Sequence, residues 1–246
     1  MKPRYLLFPL LLSYLIALIG LMPARFVIEW LPLPAGVGLG GVSGTLWRGQ
    51  AQTLRWDNQQ IGPFSWTWRG LALLEGSIAA QICLADPRGI QGAGTIGWNG
   101  EWNIDDATLK LPAAVLQNAL PLTLQLAGEI DARLVHLRFT PNHCLESQAF
   151  LRWKNGGVTD NAQALNTGDV RLRLRCVSTR WLADITQSSP EFNSTGQLSL
   201  KGFKAYRLQG EITPGPTFPP ALLMLMTQSK GSDAPGRYTF DTSGRW

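Results

Sequence analysis

The sequence predicts a mainly β protein: an N-terminal transmembrane helix, then an antiparallel β-sheet interrupted by short helices. Three observations carry this reading. Tyr5 to Met22 is apolar and free of charge, and no second run of that length follows in the 246 residues. Beyond it, short segments alternate apolar and polar residues between Gly, Pro and Asn breaks, the period of a strand with one buried face. Glycine, at 26 residues, suits a twisted sheet rich in turns.

The first element is the apolar run. About 18 such residues stand at the lower limit for crossing a hydrocarbon core roughly 30 Å thick. Lys2 and Arg4 precede the run and favour residues 1–4 on the cytoplasmic side, with the bulk of the chain across the membrane. The rival reading is a cleaved signal peptide, whose apolar core is usually about 7–15 residues and closes on a small-x-small site. Here the run is longer and closes with Gly20-Leu21-Met22-Pro23-Ala24-Arg25, where Pro23 and Arg25 disfavour cleavage. A helix lying on a soluble core would need a polar face, and Ser13 is the one clearly polar residue. Pro9 would kink such a helix without excluding it from lipid. The chain therefore divides into a cytoplasmic start (1–4), an anchor (5–22), a linker (23–40) and an exported β-rich domain (41–246). Two similar halves, about 41–128 and 129–246, are suggested by a short helix in each.

The linker region carries Pro32, Pro34 and then Gly36, Gly38, Gly40, Gly41, Gly44 and Gly49. It reads either as a flexible tether or, given the interleaved Val42, Leu46 and Trp47, as a tight entry into the first strands. Phe64-Ser65-Trp66-Thr67-Trp68-Arg69 puts three aromatics on one strand face. Gly92-Ala93-Gly94-Thr95-Ile96-Gly97 has the glycine spacing of a dinucleotide fingerprint, but Trp98-Asn99-Gly100-Glu101-Trp102 follows where that motif needs a helix, so it reads as strand and turn. Pro112 to Leu120 opens on a proline tolerated in a first helical turn and stops before Pro121. Leu122 to Leu126 alternates as a strand. From Glu129 to Phe139 the apolar phase slips by one near Leu134, which predicts a bulge. Asn155-Gly156-Gly157 predicts a hairpin turn, and residues 161–168 an exposed loop. Gln197 to Lys201 is another alternating strand. Pro219 to Gln228 predicts a second short helix, its Met and Leu stripe packed into the core.

Charge and cysteine usage narrow the class. Lys and Arg number 22 against 17 Asp and Glu, and without Lys2 and Arg4 the balance is 20 to 17. The basic residues are scattered, which argues against nucleic acid as a partner. Cys83, Cys144 and Cys176 permit one disulfide in an oxidising compartment. In Val170 to Cys176 the arginines fall on one strand face while Val170, Leu172, Leu174 and Cys176 fall on the other, so Cys176 points inward. That favours Cys144–Cys176, a bridge closing a loop of about 32 residues and contributing about 3–4 kcal/mol. Three free thiols are the alternative. No Cys-x-x-Cys spacing supports a metal or a dithiol redox centre.

Catalytic signals are sparse. His136 and His143 stand without an evident nucleophile or orienting group, Gly41-Val42-Ser43-Gly44 lacks the spacing of a nucleophile elbow, and Asp105-Asp106 point to opposite strand faces. No catalytic residue, cofactor or metal ligand is expected. Ten tryptophans are the compositional oddity. Trp66 and Trp68 alternate with polar residues, which favours an aromatic core for a thin sheet; the alternative is that Trp47, Arg48, Trp66 and Trp68 form an interaction surface for apolar ligands or a membrane surface.

The segment Gly41-Val42-Ser43-Gly44-Thr45-Leu46-Trp47-Arg48-Gly49-Gln50-Ala51, just after a single anchor, resembles the type II secretion system protein N family. The likeness continues through Trp66-Thr67-Trp68, Leu73-Leu74-Glu75-Gly76, the cysteines at 144 and 176, Phe218-Pro219-Pro220-Ala221-Leu222 and Pro235-Gly236-Arg237-Tyr238. Its first motif is also similar to inner-membrane AsmA-like proteins. The resemblance implies a highly twisted, curved antiparallel sheet shaped as a half-pipe. It further implies a single-pass inner-membrane location with the main domain in the periplasm, and a non-enzymatic accessory role beside other secretion subunits in exporting folded proteins across the outer membrane. Cys83 has no counterpart in that pattern. The second expectation is a periplasmic lipid- or amphiphile-binding protein of AsmA-like type.

Overall fold

A computed structural model of the chain describes residues 4–26, 37–56, 59–119, 124–141, 143–160, 163–201, 205–220, 222–224, 232–234 and 236–245. They form two compact units, Met1–Pro87 and Arg88–Trp246. The first unit ends at Pro87 and the second begins at Arg88.

The first unit opens with helix α1, Arg4–Gly20, which runs through Pro9. Its side chains from Leu10 to Ile19 are largely exposed, Leu10 at 68%. The helix is 17 residues long and stops before Leu21 and Met22, short of the expected span 5–22. Among the described residues no helix is long and apolar enough to cross a membrane. Most of the expected linker, 27–36, lies outside the described residues, but its end does not: Val37–Gly40 is already strand β1. Then come β2 (Ser43–Gly44), β3 (Arg48–Ala51), β4 (Thr53–Trp56), β5 (Gln59–Ile61), β6 (Phe64–Trp68), a 3-10 turn over Gly70–Glu75 and β7 (Ile78–Ala85). They pair antiparallel in the orders β1-β4-β5 and β7-β6-β3-β2.

The second unit is an antiparallel sheet built from β8 (Gln91–Trp98), β9 (Trp102–Pro112), β10 (Gln125–Phe139), β11 (Cys144–Asp160), β12 (Gln163–Val177), β13 (Arg180–Ser188), β14 (Phe192–Lys201), β15 (Ala205–Pro214), β16 (Ser232–Ala234) and β17 (Arg237–Arg245). Sequence neighbours pair in order from β8 to β15; β17 follows β15 and β16 closes the edge. The glycine-rich 92–97 segment is strand, as read. A 3-10 helix, Ala113–Ala119, follows Pro112.

Register gives the sheet two chemically distinct faces, because side chains alternate strictly across a strand. One face carries Leu134, Ala149, Leu174, Ala183, Leu198 and Leu208 as successive cross-strand partners from β10 to β15. The next row on the opposite face reads Arg133, Phe150, Arg173, Asp184, Gln197, Gln209 and Asp241. The apolar face is thinly covered. Ile130, Trp181 and Ala183 are buried, while Leu151, Leu172, Leu174 and Leu198 are half-buried.

Three local readings need correction. Asn155-Gly156-Gly157 does not turn a hairpin: β11 runs through it, and the register shifts there against β12. Asn155 has φ +49°, so the positive φ that Asn tolerates is spent on a bulge instead of a turn. Asp160 pairs Gln163 and residues 163–168 are strand, not the expected loop; 161 and 162 lie outside the described residues. The bulge near Leu134 is present, with the β11 register slipping between Leu134 and His136. The second expected helix is helical at 220 and 222–224, but Met224 is 65% exposed, so it is not core. Met226 lies outside the described residues.

Candidate functional site

Three places stand out, two of them built from residues singled out by sequence. The first is the disulfide. Cys144 opens β11, Cys176 lies near the end of β12, and the two are joined with Cα atoms 5.9 Å apart. Cys144 is fully buried and pairs across strands with Phe139, while Cys176 pairs with Trp181. Phe139 and Trp181 meet edge to face at 6.3 Å, so the bridge sits among aromatics at one end of the sheet. Cys83 is free and exposed on β7.

The second is the tryptophan cluster of the first unit. Trp47 Nε1 donates to the Ile19 carbonyl of α1 at 2.9 Å, and Trp66 Nε1 donates to the Leu46 carbonyl at 2.9 Å. Trp47 and Trp68 pack edge to face at 6.3 Å. The Leu46 amide donates to the Met22 carbonyl, and Pro23 bridges Thr45. These rings rivet the end of α1 to the first strands, and all three are half-buried. Arg48 is the exposed member; with Gln50, Ser65, Trp66 and Thr67 it lines a shallow hollow of about 360 Å³.

The third place was not singled out beforehand. The charged face of the second unit holds a cavity of about 770 Å³ spanning β9 to β13. Six cations line it against two carboxylates, Asp131 and Asp184. Lys154 pairs with Asp131, Arg152 with Asp169 at 2.5 Å, and Arg175 with Asp184, which also accepts from Gln197 at 3.0 Å. Lys110, Arg133, Arg171 and Arg173 make no ion pair among the described residues. Phe150 lies in this charged row, 39% exposed, with the Arg173 guanidinium 5.8 Å from its ring centre. Hydrogen bonds from Lys154, Arg152 and Gln197 hold the carboxyls of Asp131, Asp169 and Asp184, in that order, below the ordinary aspartate range. One signal for this site was in the sequence: Phe150 keeps phase with Arg152 and Lys154, an aromatic on a strand face otherwise charged.

Histidines do not converge on a nucleophile. His136 Nε2 lies 3.0 Å from Glu146 Oε1, and His143 is exposed. Among the described residues no three metal-ligating side chains gather.

The geometry is that of a sheet scaffold offering surfaces. A family model, "Type II secretion system (T2SS), protein N", matches residues 35–241. The chain is 32% identical to the type II secretion system protein N of Aeromonas hydrophila over the whole of both chains. It is 30% identical to that of Vibrio cholerae over 91% of each, and 28% identical to that of Klebsiella pneumoniae over 93% of this chain and 95% of the relative. No solved structure matches. The chain belongs to the type II secretion system protein N family.

Proposed function

We propose that this chain is a non-enzymatic accessory component of the type II secretion machine, held at the inner membrane by α1 with its sheets in the periplasm, where it supports export of folded proteins across the outer membrane. The observation that carries the proposal is the match to relatives of that name over 91% to 100% of the chain. Three features support the membrane placement. Tyr5 to Met22 carries no charge. At about 1.5 Å per residue, α1 reaches about 26 Å, and Leu21 and Met22 extend the apolar stretch beyond it; a bilayer thins to meet a short span at modest cost. A disulfide suits the oxidising side. The accessory role requires other subunits as partners, with the hollow beside Arg48, Trp66 and the neighbouring Trp47–Trp68 pair as one contact surface. Deleting the gene tests this: secreted enzymes should accumulate in the periplasm with an intact envelope, and Arg48→Glu in a complementing copy should reduce rescue. Unchanged secretion by the deletion strain would overturn the role.

A second reading is binding of a lipid or amphiphile along the apolar face, supported by the half-buried row of leucines from β10 to β15. Native mass spectrometry of the detergent-purified chain should then show a co-purified lipid; a bare mass across several mild detergents would remove this reading.

A further inference from the structure

The charged face of the second unit carries more positive charge than its own carboxylates neutralise. Arg152 and Arg171 stand directly opposite each other on β11 and β12. Like charges in that register repel, and Asp169 satisfies Arg152 alone. Arg133 and Arg173 flank Phe150 in one cross-strand row. Asp184, which stands opposite Arg173, is taken by Arg175 and Gln197. Arg133 and Arg173, neither in an ion pair among the described residues, thus flank one exposed aromatic ring in an open cavity of about 770 Å³ that Lys110 and Arg171 also line.

We propose that this face binds an acidic segment of a partner polypeptide, laid across β10 to β12 with its carboxylates on Arg133, Arg171 and Arg173 and an apolar side chain against Phe150. Guanidinium groups suit carboxylates because they donate two parallel hydrogen bonds. Spacing favours a chain over a single phosphate. Neighbouring strands lie about 4.8 Å apart, so Arg133 and Arg173 start about 10 Å apart on the sheet. One phosphate headgroup reaches one or two of these cations. Three residues of extended polypeptide, at about 3.3 Å each, cover the same interval and bring an apolar side chain to the ring on the way. The cavity size falls in the ordinary range for ligand sites, about 300–1,000 Å³. This inference deepens the partner expected of a secretion subunit, but its test needs no secretion.

The full chain in a nonionic detergent is titrated into a fluorescein-labelled (Glu-Ser-Phe)4 peptide and followed by anisotropy. Binding is expected, weakening steeply between 50 and 300 mM salt, with the (Gln-Ser-Phe)4 peptide at least tenfold weaker. Arg133→Gln with Arg173→Gln should weaken binding tenfold or more, and Phe150→Ala several-fold. Arg69→Gln, an exposed cation of the first unit, should leave it unchanged. Thermal melting verifies that each variant is folded; should the double variant melt early, Arg171→Gln alone replaces it. Equal binding by the folded variants overturns the proposal. So does equal competition by inorganic phosphate or by phosphatidylglycerol vesicles, which would mark a phosphate site. Failure of the secretion phenotype leaves this measurement intact, so the two ideas fall separately.

Discussion

Gly49 shows how much a single position decides in the first unit. It pairs with Gly44 on β2 and with Trp66 on β6. A Cβ there would press into the Trp66 indole, 2.8 Å from Cε2, and lie 2.9 Å from the Ser43 carbonyl oxygen. Neither neighbour gives way easily: the backbone is paired, and the indole is tethered through Nε1 to the Leu46 carbonyl. Gly49→Ala should therefore destabilise by about 1–3 kcal/mol, the usual cost of overpacking. Denaturant unfolding followed by tryptophan fluorescence is the measurement, and an unchanged midpoint would mean that Trp66 is not held there. Gly44, the partner of Gly49, has φ +90° and would set a Cβ 2.5 Å from the Arg48 carbonyl oxygen, so close backbone approach accounts for both glycines of the GTLWRG segment.

At the scale of elements, the pairing of β11 and β12 is locked covalently as well as by register. It combines an apolar row, a charged row and a covalent link between Cys144 and Cys176 across 32 positions. Closing a loop of that length removes unfolded-state entropy equivalent to about 3–4 kcal/mol. Cys144→Ser with Cys176→Ser should lower unfolding stability by that order, read in denaturant with and without reductant. The double variant should become insensitive to reductant while the parent chain does not. A parent chain equally insensitive would show that the bridge is absent in solution. Ion pairs add little by comparison, since they lie on the exposed face where solvent screens them.

For the molecule as a whole, acid is the informative perturbation. Asp241 accepts two hydrogen bonds from Arg207, at 2.6 and 3.1 Å, and a third from Gln209. The Arg207 guanidinium, first among these, lowers the Asp241 carboxyl as Lys154, Arg152 and Gln197 lower Asp131, Asp169 and Asp184. A carboxyl depressed in the folded state stabilises it at all pH above its unfolded value, near 3.8, and loses that contribution as pH falls through the folded value. Melting temperature should therefore stay level from pH 7 to about 5 and drop below about pH 4. Asp184→Asn should flatten part of that drop. A decline already complete at pH 5 would assign the acid sensitivity to other groups.

The sequence by itself determined what depends on local order: the charge-free N-terminal run, the two-residue period of the strands, the slip near Leu134, the inward phase of Cys176 and the family likeness. These follow from side-chain alternation and from composition, which need no partner strand. Tertiary pairing decided the rest. A bulge and a turn ask the same backbone of Asn155, and only the neighbouring strands β10 and β12 carried it onward as strand. Alternation favoured packing for the tryptophans, but only the end of α1 supplied the carbonyl that Trp47 needs. The charged cavity was hidden for the same reason. Arg133, Phe150 and Arg173 are far apart in the chain, and only register across β10, β11 and β12 sets them in one row.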